Sequence, residues 1–437
     1  MYLFISRLRL NYYLKNMPHK KTIIVSFISV IVAVFLIFAG IFYWKNLRGV
    51  GPAIWPPIGD IVKDLEPGPA ENKTDIPLKL PDGFSIEIFA KDLPGVRVME
   101  FDTFGNMWVS QTSAGVVSLL EVGDGKVTHQ SVVLKNLKKP HGLAFHPNQP
   151  TLLYFAEENK VSKIPTYSDG GPEKIIDLPS GAGHFTRTIG FGPDKRLYVS
   201  IGSSCNVCNE EDDRRARIYS SNDDGSNFQE FARGLRNAVF FTWQPGTKNM
   251  WTTEMGRDLL GDDTPPDEIN VIPIEASVNS GLSVADQNPV QNYGWPNCYG
   301  KNIHDDSFDK NTYIRNPCME PFETESHIDL QAHSAPLGLA FTPNNWPAEY
   351  RDDLIVAYHG SWNRSVPTGY KLVRIKLDAQ GNYLGTEDFI TSWHVSQKGV
   401  KGPDGALGRP VDVKFHDGSL YVSDDKAGVV YKIKYGK

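Results

Sequence analysis

The sequence predicts an all-β fold, a six-bladed β-propeller preceded by one N-terminal transmembrane helix. Three observations predict it. After residue 81 one phrase recurs six times: an alternating apolar strand, a turn, and a second strand ending in a small or hydroxyl residue. The recurrence averages roughly 40–50 residues, with three to four strands per unit, the length of a propeller blade. Before it, residues 22–44 carry no charge and are mostly Ile, Val, Phe, Leu and Ala, and about 20 such residues span a bilayer core.

From the N-terminus, residues 1–21 hold Arg7, Arg9, Lys15, Lys20 and Lys21, a basic flank that the positive-inside rule puts in the cytoplasm. Residues 22–44 then read as an uncleaved anchor ending in Tyr43 and Trp44. The rival, a cleaved signal peptide, has a shorter apolar run and a small-residue cleavage site. The expectation is a single-pass membrane protein whose main domain is periplasmic or extracellular. Residues 45–80, with Pro52, Pro56, Pro57, Pro67, Pro69 and Pro77, read as a semi-rigid tether. Asn72-Lys73-Thr74 matches a glycosylation sequon, a match that chance also supplies.

Residues 81–437 carry the repeats. Their paired strands fall at 98–102 and 106–110, 142–147 and 153–156, 189–192 and 197–201, 236–241 and 249–253, 338–341 and 354–357, and 409–413 and 419–423. Further alternating strands at 160–164, 370–377 and 429–433 extend the units. Two longer intervals hold an insertion at about 273–291 and a segment at 301–331. A ring of blades hides most sheet edges and leaves a central channel. With 39 Gly and 30 Pro, the chain is suitably rich in turns. A net charge of −6 gives no sign of a nucleic-acid partner.

The four cysteines fit an oxidising compartment. Proximity favours Cys205–Cys208 and Cys298–Cys318 as disulfides; a four-thiolate zinc site is the rival, and it lacks a second Cys-x-x-Cys. Asn209 stands where haem attachment after Cys208 requires His.

The residues that start each inner strand crowd the channel mouth. They include His141, His184, Arg236-Asn237, His333 and Arg409. Imidazole and guanidinium groups gathered from separate repeats suit an anionic, polar ligand.

Several phrases together carry a resemblance: His184 to Gly202, Gly234-Leu235-Arg236-Asn237, Glu254-Met255-Gly256-Arg257-Asp258, Asp267-Glu268-Ile269-Asn270, Asn292-Tyr293-Gly294-Trp295, His359-Gly360-Ser361-Trp362-Asn363-Arg364 and Gly408-Arg409-Pro410. From about residue 80 to 433 the chain resembles the pyrroloquinoline quinone (PQQ)-dependent soluble glucose dehydrogenase family, in its sorbosone-dehydrogenase-like branch. The resemblance implies PQQ at the channel mouth, calcium at its quinone edge, and oxidation of a sugar, sugar aldehyde or related alcohol by hydride transfer. It implies His184 as the base, Arg236 beside the quinone oxygen, and Asn237 and Arg409 as cofactor contacts. Imidazole suits a base because its ordinary pKa of roughly 6.5 lies near working pH. Val411 stands where the family has a second arginine; Arg364 is the candidate replacement, with Lys371 behind it. His141 is a candidate for the wall where the family has a glutamine.

The resemblance further implies calcium ligands: the carbonyls of Gly256 and Arg257 at the quinone edge, and Glu268 with the Tyr293 carbonyl at a structural site. The insertion with Asn279, Gly281 and Asp286 separates the last two. Ser203 replaces the aspartate that orients the family's histidine, so a hydroxyl stands where a charge is expected. Electrons would leave to a separate acceptor, a membrane quinone or cytochrome. Two other functions compete. A calcium-dependent propeller lactonase binds metal through channel-facing Glu, Asp and Asn, whereas a non-catalytic extracytoplasmic propeller only presents loops to a partner.

Overall fold

The computed structural model describes residues 32–34, 36–38, 68–274, 290–395 and 402–436. The chain divides into two compact units, 1–66 and 67–437. In the first, the described residues are helical at 32–34 and 36–38. This corrects the expected single-pass anchor: among the described residues no helix is long and apolar enough to cross a membrane. A crossing needs about 20 continuous helical residues. The rest of 22–44 lies outside the described residues, as do the basic flank and most of the Pro-rich stretch. The outward location inferred from the anchor falls with it.

The second unit is the six-bladed propeller. Among the described residues, six four-stranded antiparallel blades follow in chain order. Blade 1 is Val96–Phe101, Met107–Gln111, Val116–Gly123 and Lys126–Leu134. Blade 2 is Leu143–His146, Gln149–Glu157, Lys160–Pro165 and Glu173–Asp177. Blade 3 is Ile189–Phe191, Leu197–Ile201, Arg217–Ser221 and Gln229–Arg233. Blade 4 is Ala238–Trp243, Met250–Glu254, Asp267–Ile272 and, after a long excursion, Ile328–Leu330. Blade 5 is Pro336–Phe341, Leu354–Tyr358, Lys371–Leu377 and Tyr383–Ile390.

Blade 6 closes the ring. Its strands Pro410–His416, Ser419–Asp424 and Val429–Tyr435 are completed by Phe84–Ala90, with Phe84 opposite Tyr435. Glu71–Lys73 then adds in parallel to Phe84–Ala90, so the blade begins inside the stretch read as a tether. There Asn72 has a structural role, its side-chain amide bonding the Ile76 and Leu78 carbonyls.

In blades 1, 3 and 4 the same local contact recurs: the second strand carries a buried aromatic whose polar edge bonds the preceding turn. Trp108 Nε1 donates to Asp102 (3.1 Å), Tyr198 Oη to Asp194 (3.0 Å) and Trp251 Nε1 to Gln244 (3.2 Å). The inner strands bury Val98, Leu143, Val239, Leu337 and Val411 in one core around the channel. In blades 1, 4, 5 and 6 the inner strand bulges just after it starts. A bulge re-aims the side chains at the strand end, and these strand ends form the channel mouth.

Ring closure rests on Phe84, which is 1% exposed and meets Trp346, Tyr350, Phe389 and Tyr435 at ring-centroid distances of 5.0–5.4 Å. Emptying this site joins lost transfer energy to a cavity, so Phe84→Ala costs about 3–5 kcal/mol. Thermal or denaturant unfolding should show that loss. A change below about 1 kcal/mol would mean the closing strand contributes little packing.

Candidate active site

His184 lies on the segment that enters blade 3. Gly183 has φ +79°, and a Cβ there would sit 2.4 Å from the Ser203 carbonyl oxygen. That close approach lets His184 N donate to Ser203 O at 2.9 Å. A Cβ on Gly202 would likewise collide with His184 and with Asn237 Oδ1; glycine there keeps the two side chains adjacent.

The His184 ring is set by its back edge. Nδ1 is 3.1 Å from Ser203 O and 3.0 Å from Ser203 Oγ. The Ser203 hydroxyl donates to Cys205 O at 2.7 Å, leaving its oxygen as an acceptor. Nδ1 therefore carries the proton and Nε2 keeps its lone pair. Burial, then the Arg236 guanidinium, push the imidazole pKa down to about 3, with Arg187 and Arg215 adding to the repulsion and the Ser203 carbonyl bond opposing it. A lowered pKa means protonation only in strong acid, so the ring stays neutral as pH falls from 8 to 5. A proton NMR titration should show no inflection of the His184 Cε1–H signal over that range. An inflection near 6.5 would contradict the surroundings described.

Arg236 opens blade 4 and is 5% exposed. Its Nε donates to Asn206 O (2.9 Å), Nη1 to Met255 O (3.2 Å) and Gly256 O (3.0 Å), and Nη2 to Asn206 Oδ1 (3.0 Å) and Asp258 Oδ2 (3.3 Å). All five N–H groups thus meet protein acceptors. Asn237 N bonds Glu254 Oε1 at 2.8 Å, and its amide nitrogen lies 3.3 Å from Met255 Sδ.

The ring of side chains continues around the mouth. Asp258 accepts from Asn363 Nδ2 (2.8 Å) and lies 3.9 Å from His333 Nδ1. Arg409 donates to His359 O (3.0 Å) and Gly360 O (2.7 Å). His359 Nε2 is 3.0 Å from Asp425, which Arg97 also holds at 2.7 Å. Burial pushes His359 down to about 4. Burial works against ionising Asp425, but His359, Arg97 and Arg409 outweigh it and hold the carboxyl well below its usual range. Arg187 and Arg215, both buried, and the half-buried Arg409 have no carboxylate within ion-pair distance among the described residues.

Other predicted residues are held by partners of their own. Arg257 pairs with buried Asp305 (2.6 Å) and with Ser307 (3.0 Å), and it lines the cavity that Arg236 and Glu254 also border. Arg364 is tied to Asp263 (2.7 Å) and Ala332 O (3.1 Å). Lys371 pairs with Asp388 on the outer strand of blade 5, away from the mouth. His141 is fully buried, with Nδ1 3.3 Å from Thr188 Oγ and no partner for Nε2. Both disulfides join the sequence neighbours, Cys205–Cys208 and Cys298–Cys318, which removes the zinc alternative. Sequence reasoning missed Asn206, Asp258, Asp425 and Arg97. Asp258 and Asp425, charges just past the end of a second strand, were findable by the same rule that located the inner-strand starts.

Calcium ligation can be tested on the donor sets. The Gly256 carbonyl already accepts from the Arg236 guanidinium, so a cation there would share that oxygen with a fixed positive charge. Gly256 and Arg257 border the same small cavity, about 20 Å³, as Glu254, Glu268 and Tyr293, and the buried carboxylates supply the oxygen donors a small cation needs. Glu254 Oε2 is buried without a partner. Burial, then the neighbouring Glu268, raise the Glu254 carboxyl well above its usual range, and burial raises Glu268 to about 7. Asn279, Gly281 and Asp286 lie outside the described residues.

Residues 78–436 match the family model described as TrAA12-like. A protein of Borreliella burgdorferi that carries no functional description is 30% identical over 82% of this chain and 91% of its own length. The pyrroloquinoline quinone-dependent pyranose dehydrogenase of Coprinopsis cinerea is 25% identical over 82% of this chain, which spans only 54% of that enzyme. The holo PQQ domain of pyranose dehydrogenase from Coprinopsis cinerea superposes with a TM-score of 0.67 at 21% identity, covering 84% of this chain and 98% of that domain. At that identity the superposition speaks for the fold.

Proposed function

Because the chain belongs to the TrAA12-like family, we propose that it is a PQQ-dependent sugar dehydrogenase, an oxidoreductase acting on a sugar CH–OH group. The observation that carries this is a set of guanidinium groups without a direct carboxylate partner among the described residues, the buried Arg187 and Arg215 and the half-buried Arg409, beside a neutral histidine whose Nδ1 is committed to Ser203. A tricarboxylate cofactor supplies the missing negative charge. The curated relative named for PQQ and pyranose supports the same reading. A sorbosone-like aldehyde substrate is a finer possibility that the same assay tests.

PQQ, when bound, accepts the hydride from the sugar carbon. The protein's part is to hold and to take a proton. His184 Nε2 accepts the proton of the sugar hydroxyl, and Ser203 keeps the opposite edge protonated. Arg236 is a fixed positive charge beside the reacting carbons. Arg409, whose Nη1 has no partner among the described residues, and Asn237 would contact the cofactor. Glu254 and Glu268, with Tyr293, would hold a structural calcium ion, while Gly256 and Arg257, which border the same cavity, shape the loop that fixes Arg236. The hydrolytic alternative needs an open metal, whereas these carboxylates are buried.

The test is titration of the purified chain with PQQ, followed by dye reduction across aldoses, sorbosone and simple alcohols. Saturable binding and sugar-dependent dye reduction are expected; no binding and no spectral change would end the redox reading. For the cation, millimolar calcium should raise Tm, by up to about 2.7 kcal/mol of added stability at a hundredfold excess over Kd. Glu254→Gln should abolish that rise. A calcium-dependent Tm shift that survives in Glu254→Gln puts the ion elsewhere.

A further inference from the structure

The loop closed by Cys205–Cys208 touches both groups assigned to the chemistry. On one side, the Cys205 carbonyl accepts a hydrogen bond from the Ser203 hydroxyl at 2.7 Å, and Ser203 Oγ accepts from His184 Nδ1. On the other, Asn206 accepts from Arg236 twice: its carbonyl from Nε (2.9 Å) and its Oδ1 from Nη2 (3.0 Å). Asn206 is also zipped to the strand-end loop of blade 4. Its Oδ1 accepts from Asp258 N (2.8 Å) and its Nδ2 donates to Asp258 O (3.0 Å). One residue thus fixes the guanidinium and the Asp258 carboxylate that pairs with it. The half-cystines on either side of Asn206 remove the freedom that a short polar loop would have. Both are partly exposed, so a small reductant can reach them.

We propose that Asn206 is a positioning residue for Arg236, and that the Cys205–Cys208 disulfide around it makes the guanidinium's placement depend on thiol redox state. Reduction by a dithiol breaks the one S–S bond, leaves two cysteine thiols with two protons and two electrons gained, and oxidises the dithiol to its disulfide. The chain from 205 to 208 is then free to move, and Arg236 loses both Asn206 acceptors together, the carbonyl on Nε and the Oδ1 on Nη2, which leaves Nη2 with Asp258 alone. This rests on the reading of Arg236 as a site residue, but its placement can be measured without the cofactor.

The experiment uses the full chain and phenylglyoxal, which condenses with accessible guanidinium groups, with Arg236 read out by peptide mass spectrometry. Held as described, Arg236 reacts slowly. Asn206→Ala should speed its labelling by about five-fold, the population change that one net hydrogen bond commands. Dithiothreitol treatment and the double variant Cys205→Ser/Cys208→Ser should do the same; the double variant leaves Cys298–Cys318 closed. Asn206→Asp keeps the Oδ1 acceptor and should label within about two-fold of the parent. With PQQ and sugar present, Asn206→Ala should lower kcat about ten-fold at unchanged KM, as expected for an effect confined to the transition state. Parent-like Arg236 labelling in Asn206→Ala, or in the double variant, overturns the proposal. A parent protein that binds no PQQ overturns the function above, and the labelling still decides this inference.

Discussion

His184→Ala loses turnover by about 10²–10⁴-fold, the range that general-base groups supply, while its Kd for PQQ stays within a few-fold of the parent. The two quantities separate because His184 contributes a lone pair and no charge. Its Nδ1 is committed to Ser203, so removal of the ring takes away Nε2 and leaves the guanidinium groups in place. Steady-state dye reduction and a fluorescence titration on the same preparation measure the two. Turnover persisting within ten-fold of the parent would remove His184 from the chemistry. Ser203→Ala is the milder comparison. The Ser203 carbonyl remains beside Nδ1 at 3.1 Å, so the tautomer is kept and a several-fold loss at most is expected.

The second large effect belongs to Arg236. Arg236→Lys keeps a positive charge but loses the planar fork that meets Asn206, Met255, Gly256 and Asp258 at once. An ammonium on a flexible stem cannot reproduce five fixed bonds. A loss in kcat of about 10²–10³-fold is expected, the scale measured when a preorganised electrostatic group is removed. Near-parent kcat would show that charge alone suffices and that the fork has only a structural part. A circular dichroism melt of the variant separates misfolding from lost chemistry, since Asp258 is left with Asn363 and a distant His333 for partners.

Much of this was legible in the residues. The alternation of apolar residues and the turn residues between strands are local signals, and they found the blades. The same periodicity placed His184, Arg236 and Arg409 at inner-strand starts, which the fold gathers at one mouth. Cysteine pairing followed from proximity for the same reason: short loops close easily. The phase of Lys371 was not legible, and it faces Asp388 rather than the mouth. Arg364 stands as the candidate for the arginine that Val411 replaces, and its tie to Asp263 was not legible because the two lie about a hundred residues apart in sequence. The apolar stretch at 22–44 illustrates the opposite failure. Hydropathy reports composition, whereas a crossing needs a continuous helix, and none of sufficient length is described.

By itself the sequence determined the paired strands, the number of blades and the chemical types at the channel mouth, because these follow from contacts between near neighbours. Only the tertiary structure decided how the ring closes, with Phe84 set against Tyr435. It alone decided that Asp425 joins Arg97 and His359, that Glu254 faces Glu268 across a small cavity, and that every N–H of Arg236 is already engaged. Those facts depend on burial and on charges that the fold brings together, for Arg97 and Asp425 across more than three hundred residues. The free energies involved vary with distance and solvent exclusion, quantities that the order of residues along the chain does not contain.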